Sequence, residues 1–291
     1  MVDNRESMTA KLCAFARAYH SNIEPRKISD DYLAFDLMGK EEYEEIREHI
    51  VSTYTHDRNI KWFVNTFFAP IPLARERFVE ERLRDYADEP CQMVICGAGA
   101  DTFSFRNDNE NITIFEVDHP DTQRYKKQRI RALEWNIPKN VRFVPVDFNI
   151  EKMSHKLIEA GFDTNVRTFF TILGVSYYLT LPVFTETLRQ IADLSAPGSE
   201  LIFDFPLQGT GYPERVGYLA HITEELGEKM SGGFTYNDVS RALYSLGFQI
   251  DTYLPPDMVE RSFFADRGDE LHAFENVSLL SASYTSGYVF E

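Results

Sequence analysis

The residues of this chain best suited to chemistry are a glycine-punctuated turn and two aspartates that follow it. In Val94-Ile95-Cys96-Gly97-Ala98-Gly99-Ala100-Asp101-Thr102 a G-x-G turn ends an apolar, strand-forming run, the place where sheets of alternating strands and helices bind ligands. Gly97 permits the tight turn, and Gly99 lets a ligand approach the backbone without meeting a Cβ. Asp118 closes the next apolar run, Ile112-Thr113-Ile114-Phe115-Glu116-Val117. Its spacing of about 20 residues is that of a carboxylate accepting hydrogen bonds from both hydroxyls of a ribose. Strand, turn and acid together read as a nucleoside site, whereas the turn alone is weak evidence, since many strand-to-helix turns use glycine for geometry only. Thr102 stands where a dinucleotide fingerprint carries its third glycine, with Asp101 beside it. A carboxylate repels a pyrophosphate, so the turn suits a ligand with no phosphate and a positive centre. Asp147, directly after Val141-Arg142-Phe143-Val144-Pro145-Val146, belongs to the same edge. It fits two roles: accepting from an adenine amino group while Phe148 offers the base an apolar face, or capping the helix that follows.

A sheet must hold these groups, and the pattern between Cys91 and Phe205 supplies one. Strands are expected at Gln92–Cys96, Ile112–Val117, Val141–Val146, Thr168–Leu173 and Glu200–Phe205, each a short apolar run. Helical stretches lie between them, around Asp121–Trp135, Lys152–Ala160 and Pro182–Leu194, the last stopped by Ala196-Pro197-Gly198. Strand, crossover and strand at this spacing predict a parallel, doubly wound α/β sheet. After the polar segment Gln208–Gly211 come helices near Ile222–Met230 and Asn237–Leu246, then strand-like runs Phe248–Leu254 and Asn276–Thr285 separated by a long connection with charged ends. Ahead of the strands, Met8, Leu12, Phe15, Ala16 and Tyr19 mark a helix to about His20, and a loop with Pro25 follows. Tyr43, Ile46 and Ile50 mark an acidic helix, and Val79, Leu83, Tyr86 and Ala87 one that begins after Pro72. The expected organisation is a helical cap over 1–90 and an α/β core over 91–291, with an insertion around 207–235.

Composition narrows the partners. With 43% hydrophobic and 26% charged residues, the 291-residue chain has the make-up of a globular protein with a sizeable core. Its 46 acidic against 30 basic residues give a net charge of −16, a field that repels nucleic acid and anionic membrane surfaces. Cys13, Cys91 and Cys96 form no C-x-x-C pair or ligand-spaced set, so no metal is expected, and reduced thiols point to the cytoplasm. No leader-like or membrane-length apolar stretch is present in the sequence.

Several segments carry a resemblance in a fixed order: Ala14-Phe15-Ala16-Arg17-Ala18-Tyr19-His20, Ala74-Arg75-Glu76-Arg77-Phe78, the Gly97–Thr102 turn, Phe105-Arg106, Glu116-Val117-Asp118-His119-Pro120 and Gly174-Val175-Ser176-Tyr177-Tyr178-Leu179-Thr180. The chain resembles the S-adenosylmethionine-dependent leucine carboxyl methyltransferase-like family. That resemblance implies a class I methyltransferase fold, a Rossmann-like, mostly parallel seven-stranded sheet whose last two strands form an antiparallel pair, under an N-terminal helical cap. It implies S-adenosyl-L-methionine as methyl donor, S-adenosyl-L-homocysteine as product, and O-methylation of a carboxyl group on a small molecule or peptide C-terminus. By motif, Gly97, with Ala98 and Gly99 of the same turn, would lie against the methionyl part of the cofactor. Asp118, followed by His119, would hold the ribose, and Asp147 with Phe148 the adenine. Arg75, and Arg17 as a second contributor, would pair with the cofactor carboxylate, for which a planar guanidinium is suited; either reads otherwise as a solvated helix-face charge. One departure stands out: the family often carries an acid before Gly-Val, where this chain has Leu173, so either cofactor binding is weakened or Asp101 compensates at the cofactor's charged end.

Methyl transfer from a sulfonium is an in-line displacement that needs alignment and exclusion of water, without metal or covalent nucleophile. A carboxylate acceptor, with an ordinary pKa near ~4, is already nucleophilic at neutral pH, whereas a phenol or alcohol needs a base. His20 and His119 are the histidines within motifs, His119 fitting a structural role better; Tyr19, His20 and Tyr177 are candidates for the acceptor side. The N-terminal helix and Gln208–Met230 are expected to cover the crevice. Two other functions fit parts of the pattern: an NAD-dependent oxidoreductase, from the G-x-G and acid spacing, and a non-catalytic cofactor-binding member of the fold, from Leu173.

Overall fold

The computed structural model describes residues 8–55, 58–86, 89–147, 150–209, 213–230 and 232–285. Strands β1 (Cys91–Cys96), β2 (Ile112–Asp118), β3 (Val141–Pro145), β4 (Thr168–Ile172), β5 (Glu200–Pro206), β6 (Phe248–Leu254) and β7 (Val277–Tyr284) form one seven-stranded sheet in the order β3-β2-β1-β4-β5-β7-β6. The first five run parallel, and β7 lies antiparallel between β5 and β6. The class I methyltransferase sheet expected from the sequence is therefore present, including its antiparallel last pair. Chain order reverses across β1 and β4, which pair from Gln92↔Thr168 to Cys96↔Ile172. The loops leaving these neighbours diverge and open a crevice at their carboxyl ends.

Alternation along the strands explains why both sheet faces are covered. Met93 and Ile95 of β1 pack on one side with Ile112, Ile114, Phe169 and Ile202. Val94 and Cys96 point to the other with Phe115, Phe170 and Phe203. An apolar strand buried on both faces is what helices above and below a parallel sheet require. The first face carries the N-terminal helices α1 (Met8–Ile23), α2 (Ala34–Met38), α3 (Lys40–Thr53), α4 (Ile60–Phe63) and α5 (Pro70–Tyr86), whose Phe15, Ile50, Phe63 and Leu73 are fully buried. Along the core follow α6 (Phe103–Arg106), α7 (Pro120–Ala132), α8 (Met153–Glu159), α9 (Leu181–Leu194), α10 (Glu214–Glu225), α11 (Tyr236–Ser245) and α12 (Pro256–Val259). Of these, α8, α9 and α11 contribute Leu157, Leu188 and Leu243 to the opposite face.

Several boundaries differ from expectation for local reasons. Helix α5 begins at Pro70, not after Pro72, because a π-helical turn, Val64–Phe68, feeds directly into it and a proline tolerates the first turn. The helix expected near Ile222–Met230 is α10, which starts at Glu214 and stops at Glu225, ahead of Gly227. The connection between the last two strands contains α12 and a second π turn, Glu260–Phe264. Helices α2 and α4 are too short to leave a periodicity in the sequence.

Beneath the glycine turn, β2 and α7 are tied by a buried ion pair: Lys126 Nζ donates to Glu116 Oε2 at 2.6 Å, and Gln123 Nε2 donates to the Glu116 carbonyl at 2.9 Å. Burial pushes the Glu116 carboxyl up against the pull of Lys126. Removing one partner strands a buried charge. Lys126→Met is expected to cost about 3–5 kcal/mol, measured by urea denaturation at pH 7, with much of the loss recovered in Glu116→Gln/Lys126→Met.

Candidate functional site

The crevice begins at the turn after β1. The Gly97 and Ala98 amides both donate to the Val117 carbonyl, at 2.8 and 3.1 Å, and bind the turn to the end of β2. Gly99 sits at φ +45°, and a Cβ there would meet nothing nearer than 3.9 Å, so its open side faces space a ligand can use. Its amide donates to Asp118 Oδ2 at 2.5 Å, while the His119 amide donates to Oδ1 at 2.6 Å. Both carboxylate oxygens are thus aimed by backbone and keep further lone pairs for hydroxyl donors. Burial raises the Asp118 pKa, tempered by those two amides. Asp101 Oδ1 accepts from the Phe103 amide at 2.6 Å and its side chain lines the cavity.

Across the crevice, the loop after β4 is organised by Asp204, a residue of β5 with 0% exposure. Asp204 Oδ1 accepts from the Gly174 amide at 2.7 Å; Oδ2 accepts from the Tyr177 hydroxyl at 2.8 Å and from Arg75 Nη1 at 3.4 Å; its carbonyl accepts from Ser176 Oγ at 2.6 Å. Gly174, at φ +70°, lies under the Arg75 guanidinium, where a Cβ would come within 2.4 Å of Nη1. Burial opposes the Arg75 charge, but the groups around it, Asp204 foremost, together outweigh burial and the pKa is raised. Tyr177, by contrast, is driven well above the ordinary tyrosine value by burial and by Asp204.

A second charged cluster joins the cap to the turn. Arg17 Nε donates to Asp31 Oδ2 at 2.9 Å and its Nη2 to the Ala100 carbonyl at 2.8 Å. Asp31 also accepts from the Thr102 hydroxyl. Arg106 bridges Glu76 and Glu80 at 2.7 Å each, and Ser29 Oγ donates to the other Glu76 oxygen at 2.7 Å. Burial and the Asp31 charge push the Glu76 carboxyl up, against Arg17 and Arg106. Above these polar groups the cavity is roofed by apolar side chains: Leu12 of α1, Phe67 and Phe68 of the first π turn, and Leu219 and Ile222 of α10, with Met230 beyond.

The residues expected at the site fall into groups. Arg17, Arg75, Gly97, Ala98, Gly99, Asp101, Leu173 and Tyr177 line one cavity. Asp118 joins it through the Gly99 amide. His119 turns away as the N-cap of α7, its Nδ1 accepting from the Asp121 amide at 3.3 Å. The Asp147 carbonyl accepts from the Ile150 and Glu151 amides and its own amide donates to Glu151 Oε2 at 2.9 Å, beside the end of β3. Phe148 lies outside the described residues. Tyr19 and His20 do not line the cavity. Tyr19 is buried against Phe15, and His20, with 0% exposure, uses Nε2 to accept from the Ile28 amide at 2.9 Å. Tyr19 belongs to the apolar cluster of the N-terminal helices, and His20 is enclosed on the same helix. Sequence reasoning missed Asp204 and Asp31, and named Glu76 and Arg106 only as members of motifs, without a role. Asp204 had a signal: a lone acid inside Leu201-Ile202-Phe203-Asp204-Phe205 must find partners when the strand is buried. Asp31 had none.

Burial lowers the His20 pKa to about 4. Below pH 6.5 the unfolded chain takes up a proton that the folded chain refuses until about pH 4, so this residue makes stability fall as pH drops through that window. His20→Gln, which keeps an acceptor for the Ile28 amide, is expected to remove about 2 kcal/mol of the stability lost between pH 7 and pH 5, read as urea midpoints at the two pH values.

The lining suits an adenosyl-sulfonium ligand. The glycine turn and the Asp101 carboxylate face the Arg75 guanidinium within the cavity, with Asp118 bound to the Gly99 amide, and acids stand where a phosphate would require donors. The comparisons with known proteins agree. A Bacillus subtilis (strain 168) protein, YktD, provisionally described as an S-adenosyl-L-methionine-dependent methyltransferase, is 33% identical over 302 aligned residues, covering 97% of this chain and 99% of that protein. A Mycolicibacterium smegmatis protein of the same provisional description is 27% identical over 96% of this chain and 85% of its own length. A crystal structure from Thermobifida fusca, provisionally described as a methyltransferase, superposes with a TM-score of 0.60 at 14% identity, covering 98% of this chain and 97% of that one, a likeness of fold. Residues 10–192 match the family described as leucine carboxyl methyltransferase, and this chain belongs to that family of methyltransferases.

Proposed function

We propose that this S-adenosylmethionine-dependent methyltransferase transfers its methyl group to a carboxylate oxygen of a small acid with an apolar body. The observation that carries this choice is the state of the tyrosines and glutamates that line the cavity. Tyr177 donates to Asp204. Tyr178 is pushed up to about 12 by burial. Glu76 and Glu80 are bridged by Arg106. A cavity so arranged favours an acceptor that arrives ionised and needs no base. The apolar roof of Phe67, Phe68, Leu219 and Ile222 favours a hydrocarbon body and keeps water from the displacement. We place the enzyme in the cytoplasm, where Cys13, Cys91 and Cys96, all free thiols, stay reduced.

The cofactor, when bound, supplies an electrophilic methyl group on a positively charged sulfur. In our assignment Asp118 accepts the ribose hydroxyls, Arg75 and Arg17 face the amino-acid carboxylate, and Asp101 answers the positive end where position 173 carries leucine in place of an acid. Asp147 serves the adenine side. The N-terminal cap and α10 act as the lid that closes over both ligands.

Two outcomes are expected. Asp118→Ala weakens S-adenosylhomocysteine binding by about 1.5–3 kcal/mol, measured by isothermal titration; unchanged affinity removes Asp118 from the cofactor site. Tritiated methyl transferred to an apolar carboxylic acid appears in an ester that releases volatile methanol in mild alkali, with a rate flat from about pH 6 to 8 because the acceptor's ordinary pKa near ~4 keeps it ionised throughout. Alkali-stable product, formed from phenols or alcohols at a rate that climbs with pH, contradicts the carboxylate assignment.

A further inference from the structure

Three features of the β4 loop are joined at one atom pair. Asp204 is wholly enclosed, its two oxygens are divided between a backbone amide and two side chains, and all three partners border the cavity. Among the described residues Arg75 has Asp204 as its hydrogen-bonding partner, at the long distance of 3.4 Å. A guanidinium carries five donors, so most of the Arg75 fork remains available to an anion in the cavity. The same guanidinium rests on Gly174, whose amide Asp204 also holds. Floor and guanidinium are therefore set by one carboxylate. Leu173, immediately before Gly174, lines the cavity without charge, and the nearby negative charge comes instead from the neighbouring strand.

We infer that Asp204 is a positioning residue of the cofactor site: by holding the Gly174 amide, the Tyr177 hydroxyl and the Arg75 guanidinium together, it aims Arg75 at the carboxylate of the cofactor's amino-acid end. The inference rests on the cofactor assignment above and adds a residue that does not touch the ligand. It places the negative charge missing from position 173 behind the arginine rather than in front of it. A buried carboxylate at that place keeps the guanidinium charged and fixed, so the ligand's carboxylate meets a preorganised fork and not a mobile side chain. Tyr177, held by the same oxygen, serves as a strut that keeps Asp204 Oδ2 turned toward Arg75.

Asp204→Asn isolates this role. Asparagine retains an oxygen for the Gly174 amide but presents an NH2 group where Tyr177 and Arg75 also donate. Binding of S-adenosylhomocysteine and of its decarboxylated analogue is measured by isothermal titration on the full chain, with thermal melts alongside. Wild type is expected to prefer the carboxylate-bearing ligand by roughly 10–100-fold, the worth of hydrogen bonds to a charged group. In Asp204→Asn that preference falls to about 3-fold or less, the analogue's own affinity changing little. If both ligands weaken equally and the preference survives, Asp204 merely supports the fold and the inference is overturned. Should Asp204→Asn fail to fold, Tyr177→Phe, which removes the strut on Asp204 Oδ2, decides: a preference reduced several-fold upholds the inference, and an unchanged preference refutes it. Wild type binding neither ligand would be a different failure, that of the cofactor assignment itself, and would take the inference down with it.

Discussion

A carboxylate removed from water must be paired or hydrogen-bonded, and that constraint shapes the whole carboxyl rim of this sheet. Asp118 takes two backbone amides, one of which belongs to Gly99, so the glycine turn is held open by the same group assigned to the ribose. Asp204 takes an amide, a phenol and a guanidinium, and so fixes the loop after β4. Asp31 takes Arg17 and the Thr102 hydroxyl, and so anchors the N-terminal helices to the turn. None of these acids sits where a phosphate would be welcome. The electrostatic character of the crevice follows: fixed negative charge around the turn, facing the Arg75 guanidinium, which among the described residues spends few of its donors.

Hydrophobic layering explains why these acids lie where they do. Strand β1 is largely apolar on both faces, with Met93 and Ile95 packed under the cap and Val94 and Cys96 under the opposite helices, and Asp118 and Asp204 lie toward the carboxyl ends of β2 and β5. There, loops replace ladder partners and supply the amides and side chains that a charge needs. Leucine at position 173 is tolerable for the same reason, because Asp204 on the adjacent strand already gathers the Gly174 amide and Arg75. Membership of the methyltransferase family sets aside the dinucleotide oxidoreductase and the non-catalytic alternatives. It agrees with Thr102, whose hydroxyl serves Asp31 instead of leaving space for a pyrophosphate.

Much of this was legible in the sequence because it is carried by local pattern. Short, mostly apolar runs mark the central parallel strands, which are buried on both faces. The glycine turn and Asp118 were visible because backbone geometry demands them at fixed spacing. What escaped was tertiary. His20 stands in the same recognisable motif as Arg17, yet its ring accepts from the Ile28 amide whereas Arg17 donates to the Ala100 carbonyl; membership of a motif does not say which partner a side chain finds. The π turn at Val64–Phe68, which brings Phe67 and Phe68 over the cavity, has no periodicity of its own. The Arg106 bridge to Glu76 and Glu80 joins residues some thirty positions apart, a pairing that folding creates and spacing does not announce.

The central claim is that an adenosyl ligand lies along the Gly97–Asp101 turn, its ribose on Asp118 and its amino-acid end toward Arg75. A crystal structure of the protein with S-adenosylhomocysteine tests it most directly. The account predicts both ribose hydroxyls within hydrogen-bond reach of Asp118 and the ligand carboxylate against the Arg75 guanidinium. A ribose turned away from Asp118, or a ligand seated elsewhere with the turn filled by side chains, would contradict it.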